Sequence, residues 1–485
     1  MKAADRRASL DRPHKKTLFI FRRDLRLRDN TGLISALGAS SSVIPCFIFD
    51  PRQTGDHPYR SDNALDFLIA SLAELDRELR DRGSHLYLFQ GEAEKVVASL
   101  IRSEGLDAVS VNRDYTPFSR RRDAAIRDVC GLENAVFESH GDALLNEPED
   151  VARADGQPYT VFSPFFKTSR AQPVRRPRTD RAGNYHPGRI ASETGEAVYD
   201  RVLPRRNGRL YRKGGRTEAL GILGKIGGFR DYETTRDLPA VGGTTGLSPH
   251  DKFGTISIRE FHQAVDKRFG PGHPLLRQLY WRDFFTHVAS HFDRVFGRPF
   301  RPEFERLPWT DDAGRLRRWQ EGTTGFPIVD AGMRQLNSTG FMPNRVRMIC
   351  ASFLVKDLHI DWRAGERYFA TKLEDYDPCV NNGNWQWVAS TGCDAAPYFR
   401  IFNPWLQQKR YDPEAVYIKR WVPELKKAAP DSIHRLDRTD GRPPGGYPSP
   451  IVDHAAESIR ALAMYRSVKT AIGKGKPGTT RGPGG

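Results

Sequence analysis

Cysteine is scarce. Five are present in 485 residues, at 46, 130, 350, 379 and 393; they are scattered, odd in number and free of any CxxC spacing. That pattern excludes a disulfide framework and a clustered-thiolate zinc site, so reduced thiols and no metal are expected. No apolar run of about 18 residues is available to cross a bilayer, and the basic opening stretch MKAADRRASLDRPHKK lacks the apolar segment of a secretory signal. A soluble, cytoplasmic monomer with no membrane partner is therefore the expectation. A G-x-G-x-x-G turn is also missing: FRRDLRLRDN comes after the first apolar run instead. A dinucleotide clasped in the usual Rossmann manner is thereby disfavoured. Tryptophan is absent from the first 280 residues, and all eight (281, 309, 319, 362, 385, 387, 405, 421) lie in the C-terminal part of the chain.

What is abundant is positive charge. Seventy-six Lys and Arg against sixty Asp and Glu give a net +16, a field that attracts DNA, RNA or an anionic membrane surface. From Thr17 to about residue 142, the apolar runs TLFIF, VIPCFIF, HLYLF, AVSV and AVFES alternate with amphipathic stretches. In one of these, Leu65, Leu68, Leu72, Leu75 and Leu79 share a helical stripe. This alternation predicts an α/β, Rossmann-like, doubly wound parallel sheet over 16–142, preceded by a disordered basic tail, 1–15. Residues 143–215 are rich in Pro, Gly and Arg and predict a surface connector with few buried contacts. Its arginines suit DNA, although a solvated face is the commoner use of such a run. From 216 to 468 the pattern is helical without strand alternation and predicts an all-α domain. The tail 469–485 has nothing to bury.

The densest chemistry lies in LEDYDPCVNNGNWQWVASTGCDAAPYFRIFNP, residues 373–404. Asp, Asn and Gly in succession favour turns and local backbone bonding. Combined with two tryptophans, they predict a pocket wall presenting carboxylate and amide groups to a ligand. Indoles gathered in one half of a basic protein can stack on nucleobases, or relay electrons to a redox cofactor.

These residues resemble the flavin-binding core of the photolyase and cryptochrome family, as does TGFPIVDAGMRQLNSTGFMPNRVRMICASFLVKDLHIDWRAGERYF before them. The similarity runs from FRRDLRLRDN to WVPEL near 421 and is nearest to the class I cyclobutane pyrimidine dimer photolyases. The resemblance implies FAD in the helical half and UV-damaged DNA as partner. It also implies blue-light repair, in which reduced FAD passes an electron to a flipped-out dimer. A cryptochrome-type light receptor and a photolyase for 6-4 photoproducts are the alternatives.

Carried to this sequence, the resemblance implies that YETTRDLPAVGGTTGLSPH holds the flavin phosphates through Tyr232, Thr244, Thr245, Leu247 and Ser248, with Arg282 lining the same cavity. Asp375 and Arg347 form an ion pair beside the isoalloxazine, Asp377 faces its polar edge, and Asn381 lies near N5. An amide at 381 has no proton to hand over, which favours an anionic reduced flavin. Trp281 and Trp387 wall the lesion, Asn344 and Met348 touch its bases, and Arg236, Arg345 and Arg400 hold flanking phosphates. Trp385, Trp362 and Trp309 form a chain of indoles to the surface. Gln278 stands where dimer-repairing relatives commonly carry Glu. No histidine occurs from 341 to 348 to serve 6-4 repair, so the cyclobutane dimer remains the expected lesion. Folate-binding relatives use an Asn-Glu pair where Ser119 and Arg120 stand here. An antenna, if bound, is therefore expected to be a deazaflavin or a second flavin rather than a folate.

Overall fold

A computed structural model describes residues 12–179, 182–438 and 443–473. Five parallel strands form one sheet in the order β3-β2-β1-β4-β5: β1 (His14–Phe21), β2 (Ser40–Phe49), β3 (Tyr87–Gln90), β4 (Ala108–Asn112) and β5 (Val136–His140). This is the doubly wound arrangement that the apolar runs predict. Alternate residues of β1 explain the layering. Phe19 and Phe21 join the core under α1 (Thr31–Ala39) and α2 (Asp62–Arg80), whereas Leu18 and Ile20 join the core under α3 (Ala93–Glu104) and α4 (Pro117–Leu132). All five leucines of the α2 stripe are buried.

The turn that replaces a glycine-rich loop is a knot of polar contacts. Asp24 accepts from the Arg22 amide at 2.6 Å, and Arg26 donates to Asp142 at 2.7 Å. Asp29, at φ 51°, accepts from Arg259 of the helical half at 2.7 Å. Both members of that last pair are buried, so the turn joins the two halves.

The connector departs from expectation. Its helix α5 (Phe162–Ala171) buries Phe162 and Phe165 against the aromatic face of a long helical-domain element. Tyr185, Val198, Tyr199, Val202 and Leu203 complete the core under α1 and α2. Apolar residues spaced among proline and arginine form no periodic stripe, and their burial comes from tertiary packing. The N-terminal boundary moves as well. β1 begins at His14, inside the stretch expected to be a tail, and residues 1–11 lie outside the described residues.

The helical half contains α6 (Ile258–Phe269), α7 (Pro274–His291), α8 (Pro327–Thr339), α9 (Asn344–Ser352), α10 (Trp362–Lys372), α11 (Pro378–Val388) and α12 (His454–Gly473). Its main core joins α8 to α11 through residues such as Ile328, Leu336, Phe353, Phe369 and Trp385. α12 continues past the expected boundary at 468, and residues 474–485 of the expected tail lie outside the described residues.

Candidate active site

The dense segment is built around the N-terminus of α11. Pro378 occupies the first turn, and Asp377 caps it, Oδ1 accepting from the amides of Cys379 at 3.0 Å and Val380 at 3.2 Å. The other oxygen of Asp377 is bound by Arg23, which reaches over from the N-terminal half and also contacts Asp114 at 3.2 Å. Burial alone would raise the Asp377 carboxyl, but Arg23, Lys252 and Arg282 hold it down at about 2. The same surroundings push Lys252 down to about 8, through burial and the charge of Arg23.

Two residues earlier, Asp375 Oδ2 accepts from Arg347 Nη2 at 2.8 Å and from Ser248 Oγ at 2.6 Å. Its Oδ1 is buried without a partner among the described residues, an acceptor suited to a donor such as a flavin imide or ribityl hydroxyl. Asp251, pushed up to about 7 by burial and lying beside Arg282, likewise has an Oδ1 with no partner among the described residues. Asn381 Nδ2 donates to the Glu366 carbonyl at 3.0 Å, which leaves the amide oxygen as the available acceptor. Burial raises Glu366 itself to about 7.

In the expected phosphate loop, Thr245 Oγ1 accepts from the Leu247 amide at 3.3 Å, and Tyr232 and Leu247 are buried together. Thr244 is half-buried. Ser248 donates its hydroxyl to Asp375. Arg282 donates to the carbonyls of Ala143 at 2.7 Å and Asp251 at 3.4 Å.

On the expected lesion side, Trp281 stacks on Phe162 with ring centroids 3.6 Å apart and planes within 6°. Asp394 accepts from the Phe162 amide and fixes that backing ring. Gln278 is half-buried, and its side chain makes no hydrogen bond among the described residues. Asn344 and Met348 meet across one turn of α9, with Nδ2 and Sδ 3.7 Å apart. Trp387 is half-buried beside Phe285 and Gly383. Arg236, over the Tyr232 ring, and Arg400, exposed near Phe402, have no carboxylate partner among the described residues. Arg345 differs, since Asp237 already holds its guanidinium at 2.5 Å.

Trp385 and Trp362 are buried in the main core, and Trp309 lies half-buried against it. Gly365 permits the approach of Trp385, for a Cβ there would lie 2.2 Å from the indole. Sequence reasoning missed Trp319, whose ring centroid is 6.2 Å from that of Trp385. It also missed Arg23, Glu366 and Phe162. Only Arg23 carried a signal, its place in FRRDLRLRDN.

A second cavity, of about 570 Å³, opens at the carboxyl ends of β1, β2 and β4, where the strand order reverses. Phe47, Ile48, Leu65 and Leu68 make its apolar wall. Arg52, Lys252 and Glu366 supply charge, and Tyr376 and Pro378 close it from the helical half. Ser119, bonded to Asp114, and Arg120, bonded to the Ser290 carbonyl and Asp293, are not among its lining residues.

Residues 17–180 match the family model described as DNA photolyase, and residues 275–467 match the FAD binding domain of DNA photolyase. The chain is 36% identical over 480 residues to a deoxyribodipyrimidine photo-lyase of Synechococcus, covering 94% of this chain and 97% of the relative. It belongs to the DNA photolyase family. The helical half is accordingly an FAD-binding domain, and the partnerless carboxylate oxygens of Asp375 and Asp251 fit such a ligand. Among solved structures, the chain is similar to an archaeal photolyase from Sulfolobus tokodaii with two FAD molecules. That likeness has 45% identity and a TM-score of 0.85, covering 93% of this chain and 100% of the other. A class III photolyase from Agrobacterium tumefaciens is 35% identical with a TM-score of 0.87, covering 94% and 98%. Among the described residues, no helix is long and apolar enough to cross a membrane, and no cluster of His, Cys, Asp and Glu is placed to hold a metal.

Proposed function

We propose that the protein repairs cyclobutane pyrimidine dimers in UV-damaged DNA under blue light, acting as a cytoplasmic monomer. FAD bound in the helical half would, when reduced and excited, lend the dimer an electron and recover it after the two carbon–carbon bonds that join the bases have broken. The chain's own residues do the rest. Asp375 accepts from the cofactor through Oδ1 while Arg347 and Ser248 hold its other oxygen. Asn381 would offer the bound cofactor an amide oxygen and no titratable proton of its own, which would favour an anionic reduced form. Trp281 and Trp387 give the flipped dimer an apolar wall, against which Gln278, Asn344 and Met348 present an amide, a second amide and a thioether. A lesion whose stacking is already damaged costs less to extrude than an intact step. Arg236 and Arg400 hold flanking phosphates, with Arg345 available only in competition with Asp237. Trp385, Trp362 and Trp309 carry an electron inward when the cofactor is oxidised.

The observation that carries this reading is the contact of Gly383 with Phe285. A Cβ at 383 would lie 2.1 Å from the phenyl ring. This close approach sets α11, which bears Asn381 and Trp387, directly against α7, which bears Gln278 and Trp281. Cofactor contacts and lesion wall thus share one packed unit. The finer placement, class I, rests on the resemblance of residues 373–404. We assign the second cavity to a second flavin, supported by its size, its mixed apolar and cationic lining and the two FAD molecules of the archaeal relative.

The test is to illuminate reduced, flavin-loaded protein with DNA carrying each lesion type separately. Restoration of the cyclobutane dimer is expected. Unchanged dimer with flavin bound and reduced refutes the repair reading in favour of a receptor, and restoration of 6-4 lesions alone reassigns the substrate to the 6-4 photoproduct.

A further inference from the structure

The arginine-rich connector runs from α5 along α6 and the first turn of α7 and leaves a groove of about 660 Å³ between them. Five arginines line this groove against two carboxylates, Glu233 and Asp266. Two of the five are structural, Arg175 and Arg259 holding Asp29 at 3.0 Å and 2.7 Å. Arg170, Arg176 and Arg277 have no carboxylate partner among the described residues. Arg277 lies 5.3 Å above the Phe162 ring, and Arg170 lies 5.8 Å above that of Phe166. A guanidinium resting on an aromatic face is held in place while its N–H edge remains free for oxygen acceptors.

The groove adjoins the proposed lesion site on two sides. Arg277 directly precedes Gln278, and the Phe162 ring beneath it is the one stacked on Trp281. At the other end, His273 lies 6.3 Å from Tyr232, whose ring carries Arg236. A strand leaving the lesion pocket past either Gln278 or Arg236 therefore enters this groove.

We infer that the groove holds the sugar-phosphate backbone of DNA flanking the lesion, with Arg170, Arg176 and Arg277 each on a phosphate. The inference rests on the repair reading for its location, yet its chemistry is independent of base sequence and of damage. Phosphate contacts position a strand without reading it, and each releases condensed counterions.

The test compares the flavin-loaded wild-type protein with the variant Arg170→Gln/Arg176→Gln/Arg277→Gln. Binding of a duplex long enough to span the groove, lesion-bearing or undamaged, is measured between about 50 and 200 mM salt. The slope of log affinity against log salt should become shallower by about 2.7 in the triple variant and by about 0.9 in each single variant. Both duplexes should weaken by the same factor. The isolated dinucleotide dimer has no flanking phosphate to place in the groove, and its binding and repair should be unchanged. An unchanged slope on the long duplex overturns the proposal. Equal losses on duplex and dinucleotide dimer also overturn it, because the arginines would then belong to the lesion pocket. Absence of repair in the wild type, with the slope still shallower in the variant, refutes the repair reading while the groove stands.

Discussion

Replacing Arg23 by Gln removes the cation that holds Asp377, and the consequence should be visible as a change in how stability depends on pH. Both side chains are buried, at 10% and 7% exposure. In the wild type the Asp377 carboxyl is lowered from 3.8 to about 2, a shift of roughly 2 kcal/mol in favour of the folded state at neutral pH. A carboxyl with a depressed folded pKa gives stability that is complete above its unfolded value and disappears as pH falls through the folded one. The wild-type contribution is therefore constant from pH 5 to 8 and is lost between about 4 and 2. Without Arg23, burial prevails over the remaining cations, Lys252 and Arg282, and the carboxyl rises above its ordinary value. A raised folded pKa works in the other direction, its benefit being present at low pH and lost as pH rises. Removing one member of a buried pair costs about 3–5 kcal/mol when the other stays charged. The gap between wild type and R23Q should thus widen from pH 4 to pH 7 and reach about 3 kcal/mol. Relief of Lys252 from its neighbour's repulsion offsets part of this. Urea unfolding followed by tryptophan emission suits the measurement, since every indole lies in the helical half that Asp377 caps. Adding Asp377→Asn should flatten the pH dependence. A gap that stays constant from pH 4 to 7, or narrows, refutes the electrostatic dependence of Asp377 on Arg23.

Two further outcomes are expected. Trp309→Phe should slow photoreduction of the oxidised cofactor by at least tenfold while sparing repair by chemically reduced protein; parallel loss of both in kinetic assays would remove Trp309 from the electron chain and leave it a packing residue. Gly383→Ala forces a Cβ to within 2.1 Å of Phe285; it should cost about 1–3 kcal/mol and lower bound flavin per protein by absorbance, with Phe285→Leu restoring part of both. Normal flavin content in Gly383→Ala would show that the spacing of α7 and α11 is not critical.

The strands were legible because each is a short apolar run between polar turns, and period-two alternation within β1 places Phe19 and Phe21 opposite Leu18 and Ile20. The connector was less legible. Phe162 and Phe165 belong to no apolar stripe, and the surface they cover comes from α7, more than a hundred residues later. The site divides similarly. Residue types at 375, 377 and 381 announce carboxylate and amide chemistry, and resemblance supplies the cofactor they face. Neither tells which oxygen is already engaged. Among the described residues, Asp375 has one free oxygen because Ser248 and Arg347 share the other, whereas Asp377 has none because the helix cap takes one and Arg23 the other. Two aspartates two residues apart, alike in sequence, therefore differ in function. Asp375 is able to accept from a ligand, and Asp377 acts on the site through its charge, which the N-terminal half holds in place. Arg345 and Arg277 make the same contrast among cations. Asp237 occupies the arginine that resemblance assigns to a phosphate, while the arginine beside Gln278, to which resemblance assigns nothing, has no carboxylate partner among the described residues and lies over an aromatic ring at the edge of a basic groove. Which charges remain free for DNA is decided by long-range partners, and only the folded chain brings those partners together.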